Sequence, residues 1–243
     1  MCEVCGCGDV TKVSIDVHRS LLADNDHEAA HLREHFAAHG VAVVNLMGSP
    51  GSGKTALLEA TARAMKGSAL AAVSGDLATE LDAQRLAAAG IHSRAITTGN
   101  ACHLDAKMVH RALHDEALSR AVHDADYFFI ENVGNLVCPA IYDLGQRANV
   151  VALSVTEGVD KPLKYPVMFH HADLVVVTKV DLLPYLGGSV TLEALRANVE
   201  RTKPGLPVLA VSATTGAGVS DWVAWLAHIA THLPEPTHHH HEH

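Results

Sequence analysis

Gly48-Ser-Pro-Gly-Ser-Gly53-Lys54-Thr55 matches the pattern G-x-x-x-x-G-K-[ST] at every defined position. The flanks agree with it. Val41-Ala-Val-Val-Asn-Leu-Met47 reads as a buried parallel strand, and Ala56-Leu-Leu-Glu-Ala-Thr-Ala-Arg-Ala-Met65 reads as a helix leaving the loop. Gly48, Gly51 and Gly53, with Ser49 and Ser52 between them, let consecutive backbone N–H groups curl around a β-phosphate at a helix N-terminus. In such a loop Lys54 bridges β- and γ-oxygens as a point charge and the Thr55 hydroxyl holds Mg²⁺. The alternative, a chance glycine-rich turn, requires neither a strand before it nor a helix after it. The chemistry therefore starts from a nucleoside triphosphate.

Working outward, apolar runs recur at Ala69–Val73, Ser93–Thr97, Tyr127–Ile130, Val150–Val155, Leu174–Thr178 and Val208–Ser212. Helical patterns lie between them at Leu77–Ala89, Leu104–Ser119, Leu192–Arg201 and Val219–His232. This alternation predicts an α/β fold, a mostly parallel sheet with helices on both faces and ligands at the carboxyl ends of the strands: a P-loop NTPase, G-domain architecture. With 243 residues, 48% of them hydrophobic, the chain can bury one substantial core. We expect an N-terminal Cys-rich tail and linker at 1–24, the nucleotide domain at 25–233 and a His-rich tail at 234–243. No stretch has the apolar length of a membrane span and the N-terminus lacks a secretory design, so the expected location is cytoplasmic. A net charge of −9 without a dense Lys/Arg patch argues against nucleic acid or a membrane surface as partner.

Thr178-Lys179-Val180-Asp181 follows a buried strand at the place where guanine-specific NTPases keep an N/T-K-x-D segment. The Asp181 carboxylate can accept from both guanine N1–H and the exocyclic amine, while the Lys179 stem covers the base. Thr178 departs from the commoner Asn, which weakens the bracing of the loop but leaves the discriminating carboxylate. Ser212-Ala213 matches the segment whose backbone N–H meets guanine O6. Glu131, ending the Phe128-Phe-Ile130 strand, and Asp76, ending another, are the expected magnesium-side carboxylates, and Gly134 is the expected γ-phosphate sensor. For Asp76 a turn or helix-cap role is the alternative. No general base stands out.

Cys102-His103 and Cys138 lie on loops leaving carboxyl ends of strands, where they can meet near the γ-phosphate. Two thiolates and an imidazole suit Zn²⁺ or Ni²⁺; two buried cysteines acting as small hydrophobes are the alternative. Cys138 sits on the segment of the γ-phosphate sensor, so hydrolysis can move a ligand. Cys2-Glu-Val-Cys5-Gly-Cys7 can wrap one further ion, with the Cys2 amine as fourth donor once Met1 is removed; thiolate-plus-amine ligation favours Ni²⁺, with Cu(I) and Zn²⁺ competing. A tail with incidental cysteines is the alternative there. A helix over Asn25–Ala38 spaces His27, His31, His35 and, just beyond it, His39 at i, i+4, and a solvated face is the preferred reading because no Cys or carboxylate completes a ligand set. His110 and His114 are read the same way. His238-His-His-His-Glu-His243 reads either as a native metal-holding tail or as an expression remnant.

The chain resembles the nickel-insertion GTPases of hydrogenase maturation, the HypB family. The resemblance rests on Cys2-x-x-Cys5-Gly-Cys7, Asn45–Thr55, Ser74-Gly-Asp-Leu-Ala-Thr79, Asn100-Ala-Cys-His103, Glu131–Cys138, Glu157-Gly-Val-Asp-Lys-Pro-Leu-Lys-Tyr-Pro166 and Thr178-Lys-Val-Asp181, and it runs from Cys2 to about Leu233. It implies a GTP-hydrolysing metallochaperone that forms a GTP-dependent homodimer. Such a protein passes Ni²⁺ toward the large subunit of [NiFe]-hydrogenase with a nickel- and zinc-binding accessory protein as partner. It also implies that Cys102, His103 and Cys138 are metal ligands at the dimer interface and that Lys161 reaches the neighbour's nucleotide. The rival readings are a urease-type nickel-insertion GTPase, whose Cys-Pro-His motif this chain does not reproduce, and a passive nickel store suggested by its 19 histidines.

Overall fold

Seven apolar runs form the strands β1 (Ala42–Met47), β2 (Leu70–Asp76), β3 (His92–Thr97), β4 (Tyr127–Glu131), β5 (Ala148–Ser154), β6 (Leu174–Thr178) and β7 (Val208–Val211). The computed structural model, which describes residues 15–76, 79–99, 101–188 and 190–231, pairs them all in parallel in the order β3-β2-β4-β1-β5-β6-β7. Cys2, Cys5, Cys7 and the tail at 234–243 lie outside the described residues.

Side chains alternate across the pleat, so every strand feeds two cores. Val44 and Leu46 of β1, Phe129 of β4 and Val150 of β5 face α2 (Lys54–Ala64), α3 (Leu81–Ala88) and α9 (Val219–Thr231), where Trp222 is fully buried. The Trp222 ring N–H donates to Thr61 Oγ1 at 2.8 Å, so burying its polar atom leaves no unpaired donor. Val43, Val73 and Phe128 face α1 (Ile15–Ala38), α4 (Ala106–Leu113) and α5 (Glu116–His123). Further along that side, Val151 and Val177 meet α7 (Pro166–His170) and α8 (Leu192–Thr202), with the single turn α6 (Lys161–Lys164) just before α7.

Three local differences from the sequence reading have physical causes. The pattern at 104–119 is two helices, because Asp115 accepts from the backbone N–H of Leu118 and starts α5 as its N-cap. The N-terminal helix begins at Ile15, ahead of Asn25. Asn25 is instead buried in mid-helix, where its amide donates to the Asp143 carbonyl at 2.8 Å and accepts from the first N–H of α4, Ala106, at 2.9 Å. The pattern at 77–89 is helical over Leu81–Ala88.

The central strands are joined by side-chain amides. Asn132, just past β4, donates to Asn45 Oδ1 at 3.1 Å, and Asn45 on β1 donates to Asn149 Oδ1 on β5 at 2.9 Å. Among the described residues, no helix is long and apolar enough to cross a membrane.

Candidate functional site

The loop between β1 and α2 packs so closely at its start that no side chain fits at Gly48. Gly48 has φ +146°, and a Cβ there would stand 2.4 Å from the Ala152 carbonyl oxygen. Lys54 is only 7% exposed, and its ammonium lies 3.2 Å from the carbonyl oxygens of both Gly48 and Ser49. Burial pushes Lys54 below the ordinary lysine range, opposed by Glu131, Asp82 and Glu157 in that order. Among the described residues, Ser52 Oγ is a buried polar side-chain atom that no protein group pairs. A buried orphan hydroxyl and a buried ammonium on the same loop fit an anionic phosphate group.

The Thr55 hydroxyl lies 2.7 Å from Glu131 Oε1 and 2.9 Å from Asp82 Oδ1, and Glu131 Oε2 accepts from Ser74 at 3.3 Å. Burial raises Glu131 above the usual carboxylate range; Thr55 and Lys54 oppose this, while Asp82 adds to it. A hydroxyl and two carboxylates converging on one point are oxygen donors suited to Mg²⁺. The Asp76 carboxylate, at the end of β2, accepts from the Thr79 hydroxyl. Asp82 was not singled out by sequence reasoning, because an acid in the first turn of a helix is ordinary. Glu157 was likewise passed over as a site residue, although it ends the turn after β5; it accepts from the Ser49 hydroxyl and completes a capping box with Ser154.

The base side is a cavity of about 210 Å³ lined by Gly53, Thr178, Lys179, Asp181, Leu182 and Ala213. Thr178 keeps the loop braced despite the missing Asn amide, because its hydroxyl donates to the Ser52 carbonyl at 2.5 Å. Lys179 adopts a left-handed backbone (φ 58°) and its ammonium donates to the Gly51 carbonyl at 2.7 Å, so the base loop is tied twice to the phosphate loop. Ser212 is buried behind this wall, where its hydroxyl and carbonyl accept from the N–H groups of Thr215 and Gly216. Lys161 stands over the Tyr165 ring, its ammonium 5.4 Å from the centroid.

Cys102, His103 and Cys138 come together with their ligand atoms within 4.8 Å of one another. His103 is 2% and Cys138 5% exposed, and the imidazole stacks on Tyr142 with centroids 3.9 Å apart. Burial lowers His103 below the usual imidazole range, with Asp105 in opposition, which keeps a lone pair available at neutral pH.

The segment between Glu131 and Cys138 touches everything in turn. Asn132 Oδ1 accepts from the backbone N–H of Leu104, next to His103, at 3.1 Å. Gly134 packs against the phosphate loop so closely that a Cβ would stand 2.9 Å from Pro50, and Asn135 forms a β-bridge with Gly48. Eight residues, Glu131 to Cys138, thus run from the Thr55 hydroxyl to the Cys138 sulfur. On the opposite side of the molecule, His35 and His39 are joined by His123 of α5, so that part of the histidine face is a three-membered cluster rather than only a solvated one. His27, His31, His110 and His114 are ring pairs on the surface.

The family described as CobW/HypB/UreG, nucleotide-binding domain, matches residues 42–210. The hydrogenase maturation factor HypB of Azotobacter chroococcum mcd 1 is 47% identical over 214 residues, covering 87% of this chain and 68% of that protein. The hydrogenase/urease maturation factor HypB of Helicobacter hepaticus is 50% identical over 196 residues, covering 79% and 81%. Among solved structures, HypB from Helicobacter pylori in complex with nickel matches with a TM-score of 0.79 at 39% identity, over 87% of this chain and 100% of that one. Identity at this level, together with the family match over 42–210, means that the chain belongs to the HypB family of hydrogenase maturation factors, with a nucleotide-binding domain of the CobW/HypB/UreG type.

Proposed function

We propose that this protein is a GTP-hydrolysing nickel carrier that delivers Ni²⁺ to the large subunit of [NiFe]-hydrogenase. The observation that carries this reading is the segment from Glu131 to Cys138, anchored at one end on the Thr55 hydroxyl and at the other in the cluster of Cys102, His103 and Cys138. Lys54 neutralises charge on the phosphates, Asp181 selects guanine through its N–H donors, and Gly134 reads the presence of the γ-phosphate. When bound, Mg²⁺ supplies charge neutralisation on the β- and γ-oxygens; Thr55, Glu131 and Asp82 are the residues that would hold it, with Asp76 at the edge of the same site. Hydrolysis to GDP and phosphate releases the segment and changes the geometry at Cys138. Ni²⁺ is the cargo, and Zn²⁺ competes for the same donors.

Val137 and Ile141, on either side of Cys138, are 45% and 46% exposed. Apolar side chains flanking a ligand support a GTP-dependent homodimer that closes over the metal, with Lys161 reaching toward the partner's nucleotide. Cys2, Cys5 and Cys7 hold a second Ni²⁺, and a nickel- and zinc-binding accessory protein assists the exchange. This chemistry belongs in the cytoplasm, where thiols stay reduced. The name of the Helicobacter hepaticus relative favours a second reading, in which urease is also served.

The test is site-resolved alkylation of Cys102 and Cys138 in the full chain, with and without Ni²⁺, in GDP and in a non-hydrolysable GTP analogue. Protection by Ni²⁺ at concentrations that differ between the two nucleotide states is expected; identical protection curves would sink the gating. Hydrogenase activity in a deletion strain, restored by excess nickel, places the protein at nickel delivery. Urease activity in the same strain separates the two readings.

A further inference from the structure

The histidine cluster on α1 and α5 lies away from everything the nucleotide chemistry uses. His35 and His39 are one helical turn apart at the end of α1, and His123 is the last residue of α5. One ring nitrogen from each of the three lies within 4.8 Å of the other two, and the Nε2 atoms of His35 and His123 are 3.1 Å apart. Two imidazole nitrogens at that distance repel through their lone pairs unless a proton or a cation stands between them. His39 Nδ1 is 2.9 Å from the His35 carbonyl oxygen, which can only accept, so Nδ1 carries the hydrogen and Nε2 carries the lone pair. A backbone carbonyl on the far nitrogen is the arrangement that orients metal-bound histidines. The His39 and His123 rings stack in near-parallel fashion, with centroids 4.0 Å apart and planes 6° apart, so the exposed His39 ring has to turn out of the stack for the two in-plane lone pairs to converge on one ion.

We propose that His35, His39 and His123 form a third metal site, which takes a borderline divalent ion such as Ni²⁺ or Zn²⁺ on three imidazole nitrogens and clips the end of α1 to the end of α5. Three nitrogens without a thiolate suit these ions over soft Cu(I) or hard Mg²⁺, and the exposed side at His39 leaves room for water as a fourth ligand. The site lies at the amino ends of the strands, since His39 precedes β1 and His123 precedes β4. The thiol-bearing cluster lies at their carboxyl ends. The six residues of β1 separate the two by roughly 20 Å at about 3.3 Å per residue. Among the described residues, the hydrogen bonds and ring contacts of His35, His39 and His123 stay with one another and with the end of α1, away from the phosphate loop and the segment from Glu131 to Cys138, so its affinity is the same in GDP and in GTP. A metal there does not wait for hydrolysis.

The experiment is carbethoxylation of the full chain with diethyl pyrocarbonate, resolved by peptide mass spectrometry, with Ni²⁺ or Zn²⁺ as the probe. Modification of His39 and His123 should slow about tenfold once free metal is about tenfold above its dissociation constant, equally in both nucleotide states. In His35→Gln the protection of His39 and His123 should be lost while metal still protects Cys102 and Cys138 from alkylation. His39→Gln, a surface change, should likewise remove protection at His123. Unchanged reactivity of His39 and His123 at metal concentrations that protect Cys102 and Cys138 overturns the proposal. So does full protection of His123 in His39→Gln, which would mean that the three do not act as one site.

Discussion

The two histidine-containing clusters stand at opposite ends of one sheet, and they differ less in their ligands than in what holds them. His103 is buried, stacked on Tyr142 and packed beside a loop whose backbone is tied to Asn132. Its partner Cys138 sits at the end of a segment pressed on the phosphate loop at Gly134. The cluster of His35, His39 and His123 is held by helix surfaces and ring stacking. On the proposed reading, coupling to a nucleotide comes from a stretch of backbone shared with the phosphate loop, rather than from the donor set. One cluster then responds to the nucleotide, and the other only holds.

The sharpest way to break that comparison is at its source. Lys54→Ala should reduce GTP turnover by about 10²–10³-fold, because the ammonium stabilises charge that grows on the transferred phosphoryl group. A folded variant with wild-type turnover in a phosphate-release assay would detach the phosphate loop from the chemistry. Next in size is the coupling itself. Ni²⁺ protection of Cys102 and Cys138 should differ between nucleotide states by about 1–3 kcal/mol, and Gly134→Ala should erase most of the difference, since its Cβ meets Pro50 at 2.9 Å. Protection of His39 and His123 should not change in the same experiment. Asp181→Asn should cost about 1–3 kcal/mol of guanine preference over adenine, read by calorimetry with GDP and ADP, because guanine N–H donors lose their acceptor. The smallest effect is local: Asp105→Ala removes the N-cap of α4 and should lower unfolding stability by about 1 kcal/mol in urea titrations. It should also leave His103 still harder to protonate, since Asp105 is the group that opposes its desolvation.

Much of the carboxyl end was legible in the sequence because its residues come as contiguous strings with strands and helices around them. The strand β6 was read with its bounds unchanged, and Thr178 to Asp181 then fell at its carboxyl end, as a parallel sheet requires. Cys102, His103 and Cys138 were read as able to meet because both loops leave carboxyl ends of strands, and the structure brings them together. What escaped was whatever depends on side-chain reach. Asp82 approaches Thr55 from a helix 27 residues away, and an acid at a helix start carries no distinguishing mark. Asn25 reads as a helix start because Asn favours caps, whereas here it caps another helix from inside its own. His123 joins His35 across 88 residues, and no periodicity links α5 to α1.

The amides of Asn132, Asn45 and Asn149 cross three strands that are distant in the chain yet adjacent in space. Apolar strands such as these are nearly degenerate, since Val and Ile fill either face and a sheet covered on both sides tolerates either. A slip of one residue would turn an amide to the opposite face and leave two polar groups buried without partners, at about 1–3 kcal/mol each. Parallel pairing between remote segments is slow to form and exposed to such errors. Three uncharged side chains thereby turn a permissive hydrophobic sheet into one that can be assembled in a single alignment, and that alignment sets Glu131 beside Thr55.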